Sequence, residues 1–281
     1  MEHPKSISAR KAVQTTTGAR GAQSLDRAAT LLILVGRAGP SGARLADLIV
    51  QTDLTKPTVH RMLTALVRAG LLDQDPQTRR YHLGPEIYVL GTLASARFGL
   101  HPVSMRALTR LSQESGDSAF LSVAHDVYSI CLHREDGPYP IKVQSLEAGD
   151  RHPLGVGAGS LALLSALPDR EVDQIIAANA DILSEKYPNY AGPALPRLVS
   201  ETRRNGYAFN PGLMLSGSWA IGMAIRGEDG RPIGALSIGA IEGRLDAKRR
   251  HELKTLLRRE ADWIAMRLHQ LRQGAARSRG R

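Results

Sequence analysis

Thr55-Lys-Pro-Thr-Val-His-Arg-Met-Leu-Thr-Ala-Leu-Val-Arg-Ala-Gly70 is the stretch from which the architecture is read. Val59, Leu63, Leu66 and Val67 fall at i, i+4, i+7 and i+8 and form one apolar stripe. Lys56, Thr58, His60, Arg61, Thr64 and Arg68 gather away from it. The spacing predicts a helix with one packing face and one polar, cationic face. Thr55 is placed to cap its first amides, and Pro57 falls in the first turn, where amides lack intrahelical partners. Gly70 supplies a left-handed stop.

Working outward, a helical run opens at Ser24, continues through Leu25, Ala28, Ala29, Leu32 and Val35, and ends at Gly36. A shorter run over residues 45–50 leads through Thr52-Asp53-Leu54 into the Thr55 helix. Beyond Gly70, residues 71–74 and 80–83 read as short strands joined by Asp75-Pro76-Gln77-Thr78, a turn-forming set. Helix, helix, tight turn, helix and hairpin together describe a winged helix-turn-helix. In that arrangement Lys56, Pro57, Thr58, His60, Arg61 and Thr64 face the major groove of DNA, and Arg79 and Arg80 reach phosphates from near the wing tip. The plainer alternative is an amphipathic core helix with a solvated polar face.

These residues resemble the DNA-binding half of the IclR family of bacterial transcriptional regulators, whose pattern this chain matches at Arg80-Tyr-His-Leu-Gly84-Pro. Two positions depart from it. The family often has glycine where Asp53 stands and a small hydroxyl residue where Pro57 stands. Aspartate tolerates the left-handed conformation, so the turn is expected to survive. Pro57 removes one hydroxyl contact, which points to an altered base preference.

Composition agrees with a nucleic-acid partner. The chain has 281 residues, 42% of them hydrophobic, enough for two domains with cores of their own. A net charge of +10, with Lys and Arg clustered on one helix, a wing and both ends, favours double-stranded operator DNA over a membrane surface. No apolar run approaches the roughly 20 residues that span a bilayer, and no basic-then-apolar leader is visible at the start. A cytoplasmic location is the expectation. The single cysteine, Cys131, excludes an internal disulfide and reads as a small buried hydrophobe in a strand, with a redox thiol as the alternative.

The expected domains are a disordered basic arm over residues 1–22, the winged helix-turn-helix over 23–84, a linker helix over 85–99, a sensor domain over 100–271 and a basic tail over 272–281. The last is read as disordered. Within the sensor, a helix runs from His101 to Gly116, followed by strands over 119–124, 128–133 and 141–145 and helices over 159–167, 170–178 and 195–205. Strands over 207–210, 220–226 and 233–241 then precede a final helix over 246–271. The fold class is α+β, with helices against one sheet.

The sensor half resembles the IclR effector-binding domain, related to GAF and PAS sensors. The resemblance rests on His152-Pro-Leu-Gly-Val-Gly-Ala-Gly159, Arg203-Arg-Asn-Gly-Tyr207 and Gly234-Ala-Leu-Ser-Ile-Gly239. With the first half it covers roughly residues 24–270, and it implies a homodimer or homotetramer. Independently, Gly155, Gly157 and Gly159 place backbone amides where a helix begins, a favourable seat for a carboxylate. The resemblance implies effector contacts at Gly157 and Ala158. It also carries an acidic position onto Asn210, a thiol position onto Ala220, and two serine positions onto Ser237 and Gly239. Loss of polar groups at those places implies a larger, less polar ligand, a hydrophobic or aromatic carboxylic acid.

No phosphate-binding loop, nucleophile elbow or helix-borne metalloprotease motif is present, so neither a catalytic site nor a cofactor is expected. His125, His133, His152 and Cys131 have no recognisable zinc spacing, although alternation would put Cys131 and His133 on one strand face. The reading that follows is a regulator whose operator binding responds to a small molecule. The alternatives are an enzyme acting on a small acid and an effector-independent DNA-architectural protein.

Overall fold

The structure, a computed structural model, describes residues 22–95, 99–143 and 146–279. The expected arm over residues 1–22 thus lies almost wholly outside the described residues. The chain divides into two compact units, Met1–Arg97 and Phe98–Arg281.

In the first unit α1 (Ala22–Arg37), α2 (Leu45–Thr52) and α3 (Lys56–Arg68) precede a two-stranded antiparallel wing, β1 (Leu72–Gln74) and β2 (Tyr81–Leu83), and then α4 (Pro85–Ser95). The apolar stripe of α3 buries Val59, Leu63 and Leu66 against Leu31, Leu34 and Val35 of α1, Leu48 of α2, and Leu72 and Tyr81 of the wing. Asp53 closes α2 in the left-handed region at φ +52°, as the turn requires. Thr55 makes no side-chain cap; its hydroxyl instead pairs with that of Thr58 at 2.9 Å. The wing is stitched to the body by Ala43 and Tyr81, which exchange backbone bonds of 2.8 and 2.9 Å.

The second unit is built on one antiparallel six-stranded sheet of order β5-β4-β3-β8-β7-β6. Its strands are β3 (Ser118–His125), β4 (Tyr128–Glu135), β5 (Arg151–Pro153), β6 (Ala208–Pro211), β7 (Ser218–Arg226) and β8 (Pro232–Ile241). On one face pack α5 (Leu100–Ser115) and α10 (Ala247–Arg279), burying Leu108, Leu111, Leu253, Leu257 and Ile264 against Leu121, Ile221, Leu236 and Ile238. The other face carries α6 (Ala158–Ser165) and α9 (Ala194–Asn205), with α7 (Asp169–Ala178) and α8 (Ala180–Lys186) alongside. The sheet is therefore covered on both sides.

Three expectations are corrected. Ile141, Lys142 and Val143 are not in a strand, and residues 144 and 145 lie outside the described residues. The strand beside β4 is instead Arg151–Pro153, three residues too short to show alternation and legible only through its pairing with Tyr128, Ser129 and Ile130. The final helix runs on to Arg279 through the segment read as a disordered tail, because Ala275, Ala276 and the arginines there are good helix formers. Finally, β4 bulges. Leu121 pairs with His133 while Ser122 pairs with Cys131, so Leu132 is the extra residue and the two side chains part. His133 stacks edge-on to His101 of α5, with ring centroids 5.4 Å apart, and Cys131 faces α6.

The join between wing and α4 tolerates no side chain at Gly84. A Cβ there would lie 2.1 Å from the Gly70 carbonyl oxygen, and that crossing is bonded by Gly84 N to Leu71 O at 2.9 Å and Glu86 N to Gly70 O at 3.1 Å. Gly84→Ala is expected to destabilise the first unit by about 1–3 kcal/mol through overpacking against backbone. Calorimetry of the full chain reads this as a lowered first transition.

Candidate nucleic-acid interface and effector pocket

The polar face of α3 is open. Lys56, Pro57, His60, Arg61, Thr64 and Arg68 are exposed and Thr58 is half-buried. Thr64 donates its hydroxyl proton to its own helix at His60 O, 2.9 Å away. Among the described residues neither Lys56 nor Arg61 is held in an ion pair, which leaves both cations free for an external partner.

The two wing arginines part company. Asp75 organises the turn, accepting bonds from Gln77 N at 2.9 Å and Thr78 N at 2.7 Å, and the Thr78 amide bond holds its carboxyl below the usual range. Arg79 stands exposed just after that turn with φ +59°. Arg80, expected beside it near the tip, instead turns inward. Its Nη1 donates to the carbonyls of Ser41 and Gly42, each at 3.0 Å, and so clamps the wing to the loop before α2. An isolated sequence cannot distinguish a tip from a clamp, because the acceptors lie 38 and 39 residues away.

In the second unit one pocket collects all six residues singled out from the sequence: Gly157, Ala158, Asn210, Ala220, Ser237 and Gly239. The close approach that forms it is set by Gly222 on β7, where a Cβ would lie 2.5 Å from the Ala158 carbonyl oxygen. The start of α6 thereby sits directly on the sheet. A Cβ on Gly159 would stand 3.2 Å from Ser237 Oγ and 3.5 Å from Ser122 Oγ, so the first helical turn meets a floor of hydroxyls.

The amides at the glycine-rich entry are not all free. Gly155 N donates to Ser160 Oγ at 2.8 Å, and Gly157 N donates to Tyr190 Oη at 3.2 Å. Tyr190, fully buried, passes its own proton to Asn210 Oδ1 at 3.2 Å, which also accepts from Leu213 N at 2.9 Å. Burial pushes the Tyr190 phenol up, so it acts as a neutral relay. The first intrahelical bond is Leu161 N to Gly157 O, and among the described residues no acceptor meets the amides of Ala158 and Gly159. The amides left open at this helix start are therefore not that of Gly157 but those of the two residues after it.

Sequence reasoning missed several neighbours. His152, Ser122, Ser129, Cys131, Ser218 and Met214 also line the pocket. Ser122, Ser129 and Cys131 face it because β3 and β4 pair in this register, a fact that only strand partners reveal. Burial pushes the Cys131 thiol up to about 12, so at neutral pH it is a packed thiol and not a reactive thiolate. The cavity measures about 30 Å³, room for about two waters, within an atom-free space of about 530 Å³ that includes its mouth. Met214 narrows it, its Sδ lying 3.6 Å from where a Cβ on Gly157 would stand. Among the described residues no group of three or more His, Cys, Asp or Glu is placed to hold a metal, and no helix is long and apolar enough to cross a membrane.

A winged helix-turn-helix joined to a separate unit that carries a lined pocket defines a class: one-component regulators. Residues 24–76 match the IclR helix-turn-helix domain and residues 94–266 the bacterial transcriptional regulator IclR C-terminal domain. The chain belongs to the IclR family of bacterial transcriptional regulators. It is 31% identical to the glycerol operon regulatory protein of Streptomyces coelicolor over 229 residues, covering 80% of this chain and 87% of that one. It is 23% identical to the transcriptional regulator XynR of Escherichia coli, covering 80% and 88%. Its fold is shared by the IclR transcriptional regulator of Alicyclobacillus acidocaldarius, with a TM-score of 0.74 at 21% identity over 87% of this chain and 98% of that one. An IclR homologue from Microbacterium hydrocarbonoxydans, solved in complex with 4-hydroxybenzoate, shares it with a TM-score of 0.73 at 20% identity over 88% and 99%.

The parting of the wing arginines has a stability signature. Arg80→Ala is expected to lower the stability of the first unit by roughly 1–2 kcal/mol through two lost charge-assisted bonds in a half-exposed setting. Arg79→Ala should leave it within about 0.5 kcal/mol. Urea unfolding of the full chain measures the contrast.

Proposed function

We propose that this regulator binds an operator through α3 and the wing and that a hydrophobic or aromatic carboxylic acid, seated in the pocket of the second unit, modulates that binding. The DNA half of the reading is carried by the open cationic face of α3. Lys56, Pro57, Thr58, His60, Arg61 and Thr64 approach the major groove, Arg79 meets a phosphate, and Arg80 holds the wing in place to do so. Arg61→Ala is expected to cost roughly 1–3 kcal/mol of operator affinity through a lost base contact. Gel-shift titration at fixed salt measures it; unchanged affinity removes Arg61 from the reading surface.

The single observation that carries the effector half is the convergence of the unpaired Ala158 and Gly159 amides with Asn210 and Ser237 in one pocket that has no bulky side chain at Ala220 and Gly239. A carboxylate bonds the amides, Ser237 and Asn210 orient it, and its apolar body lies along Ala220 and Gly239. Entry of a ring requires Met214 to move aside, a small rearrangement for so flexible a side chain. The protein is read as acting by binding and not by turnover, in keeping with a pocket in which, among the described residues, no serine or thiol is hydrogen-bonded to His152. A cytoplasmic site of action follows from an operator as target. Exposed Tyr88, Val89, Leu90 and Leu93 on the eleven-residue α4 support a homodimer or homotetramer.

The small cavity is the one observation that favours an effector-independent regulator instead. Ala220→Leu separates the readings. Wild-type protein is expected to melt higher and to change its operator affinity when an acid such as 4-hydroxybenzoate is added, and Ala220→Leu to lose both responses while still binding operator. A wild-type protein indifferent to every acid tried favours the effector-independent reading, and a normal response in Ala220→Leu moves the pocket elsewhere.

A further inference from the structure

One buried side-chain polar atom in the pocket wall is left without a partner among the described residues. His152 Nε2 is shut off from solvent and bonded to nothing among the described residues, while its ring lines the pocket. Buried polar atoms are almost always paired, so an orphan beside a cavity marks a place where a partner arrives. Two other buried side-chain atoms share this condition, Ser104 Oγ on α5 and Ser165 Oγ on α6, and neither lines the pocket.

The other side of the ring is fixed. His152 Nδ1 lies 3.1 Å from Tyr187 Oη. Burial pushes the Tyr187 phenol up to about 12 and pulls the imidazole down, so both groups are neutral near pH 7. A phenol is a stronger acid than a neutral imidazole N–H, so the tyrosine donates and Nδ1 accepts. The imidazole proton is then on Nε2, the ring nitrogen left without an acceptor.

Its position in the sheet gives this donor a distinct task. His152 is on β5 and Asn210 on β6, at opposite edges of the six strands. The first turn of α6 lies over Gly222 of β7 and Ser237 of β8, next to β6 and separated from β5 by β4 and β3, so its open amides stand nearer the Asn210 edge than the His152 edge. We propose that His152 determines specificity: its Nε2–H donates to a hydroxyl or carbonyl oxygen at the end of the effector remote from the carboxylate, making the effector a bifunctional acid. This rests on the carboxylate seat proposed above and adds to it the second polar group, where Ala220 and Gly239 alone call only for an apolar body.

Titration calorimetry of the full chain with benzoate and 4-hydroxybenzoate tests it, since the two differ only in the remote hydroxyl. Wild-type protein is expected to prefer 4-hydroxybenzoate by about tenfold, the value of one well-formed hydrogen bond in a dry site. His152→Phe, which keeps the ring volume, should bind both acids with the affinity wild type has for benzoate. His152→Gln, whose amide nitrogen replaces Nε2, should restore part of the preference. Tyr187→Phe should weaken it by releasing the tautomer. Equal binding of the two acids by wild type, or a preference that survives in His152→Phe, overturns the inference while leaving the carboxylate seat in place. If neither acid binds wild type, the aromatic-acid reading and this inference fall together.

Discussion

The second unit depends on a single backbone approach. Because Gly222 carries no side chain, the Ala158 carbonyl settles against β7, and the first turn of α6 is pressed onto the sheet with Ser237 and Ser122 beneath it. A methyl group at that point would lift the helix start and with it the Ala158 and Gly159 amides. The apolar layer of Leu161, Leu163 and Leu164 against Leu195, Leu198 and Val199 then holds α6 down, so that packing remote from the pocket keeps its donors in place.

Preorganisation extends through the polar side chains. Tyr190 is bonded on one side to Gly157 N and on the other to Asn210 Oδ1, and Asn210 in turn takes the Leu213 amide. Three chain segments are thus locked in one relay before any ligand arrives, and no reorganisation is needed to present the α6 amides. What remains adjustable is Met214, in a loop whose ends, Gly212 and Gly217, both adopt left-handed backbone. A rigid polar floor under one flexible thioether suits a site that discriminates by fixed hydrogen bonds and accommodates by a single moving side chain.

The first unit follows a different economy. Its core is small, and the buried faces of α1, α2 and α3 meet around Leu31, Leu48 and Leu63. The wing contributes Leu72 and Tyr81 to that core, while Arg80 and the Ala43–Tyr81 pair fasten it. Among the described residues the side chains of Lys56, Arg61 and Arg79 are held in no ion pair. Which arginine anchors and which one is free is a matter of where carbonyl acceptors happen to lie.

The order of helices and wing, the left-handed turn at Asp53, the buried stripe of α3 and most strands of the sensor were legible in the sequence, because each depends on residues within one or two turns of each other. So was the family, through local runs such as Arg80–Pro85 and His152–Gly159. The short strand Arg151–Pro153 and the parting of Cys131 from His133 were not, since both are decided by pairing with a partner strand and by a bulge that alternation does not encode. The inward turn of Arg80, the capture of Gly157 by Tyr190 and the orphaned His152 likewise belong to tertiary structure. Local periodicity reports which face of an element is apolar; which polar groups find partners, and which are left for a ligand, is settled only when segments distant in sequence are brought within hydrogen-bonding distance.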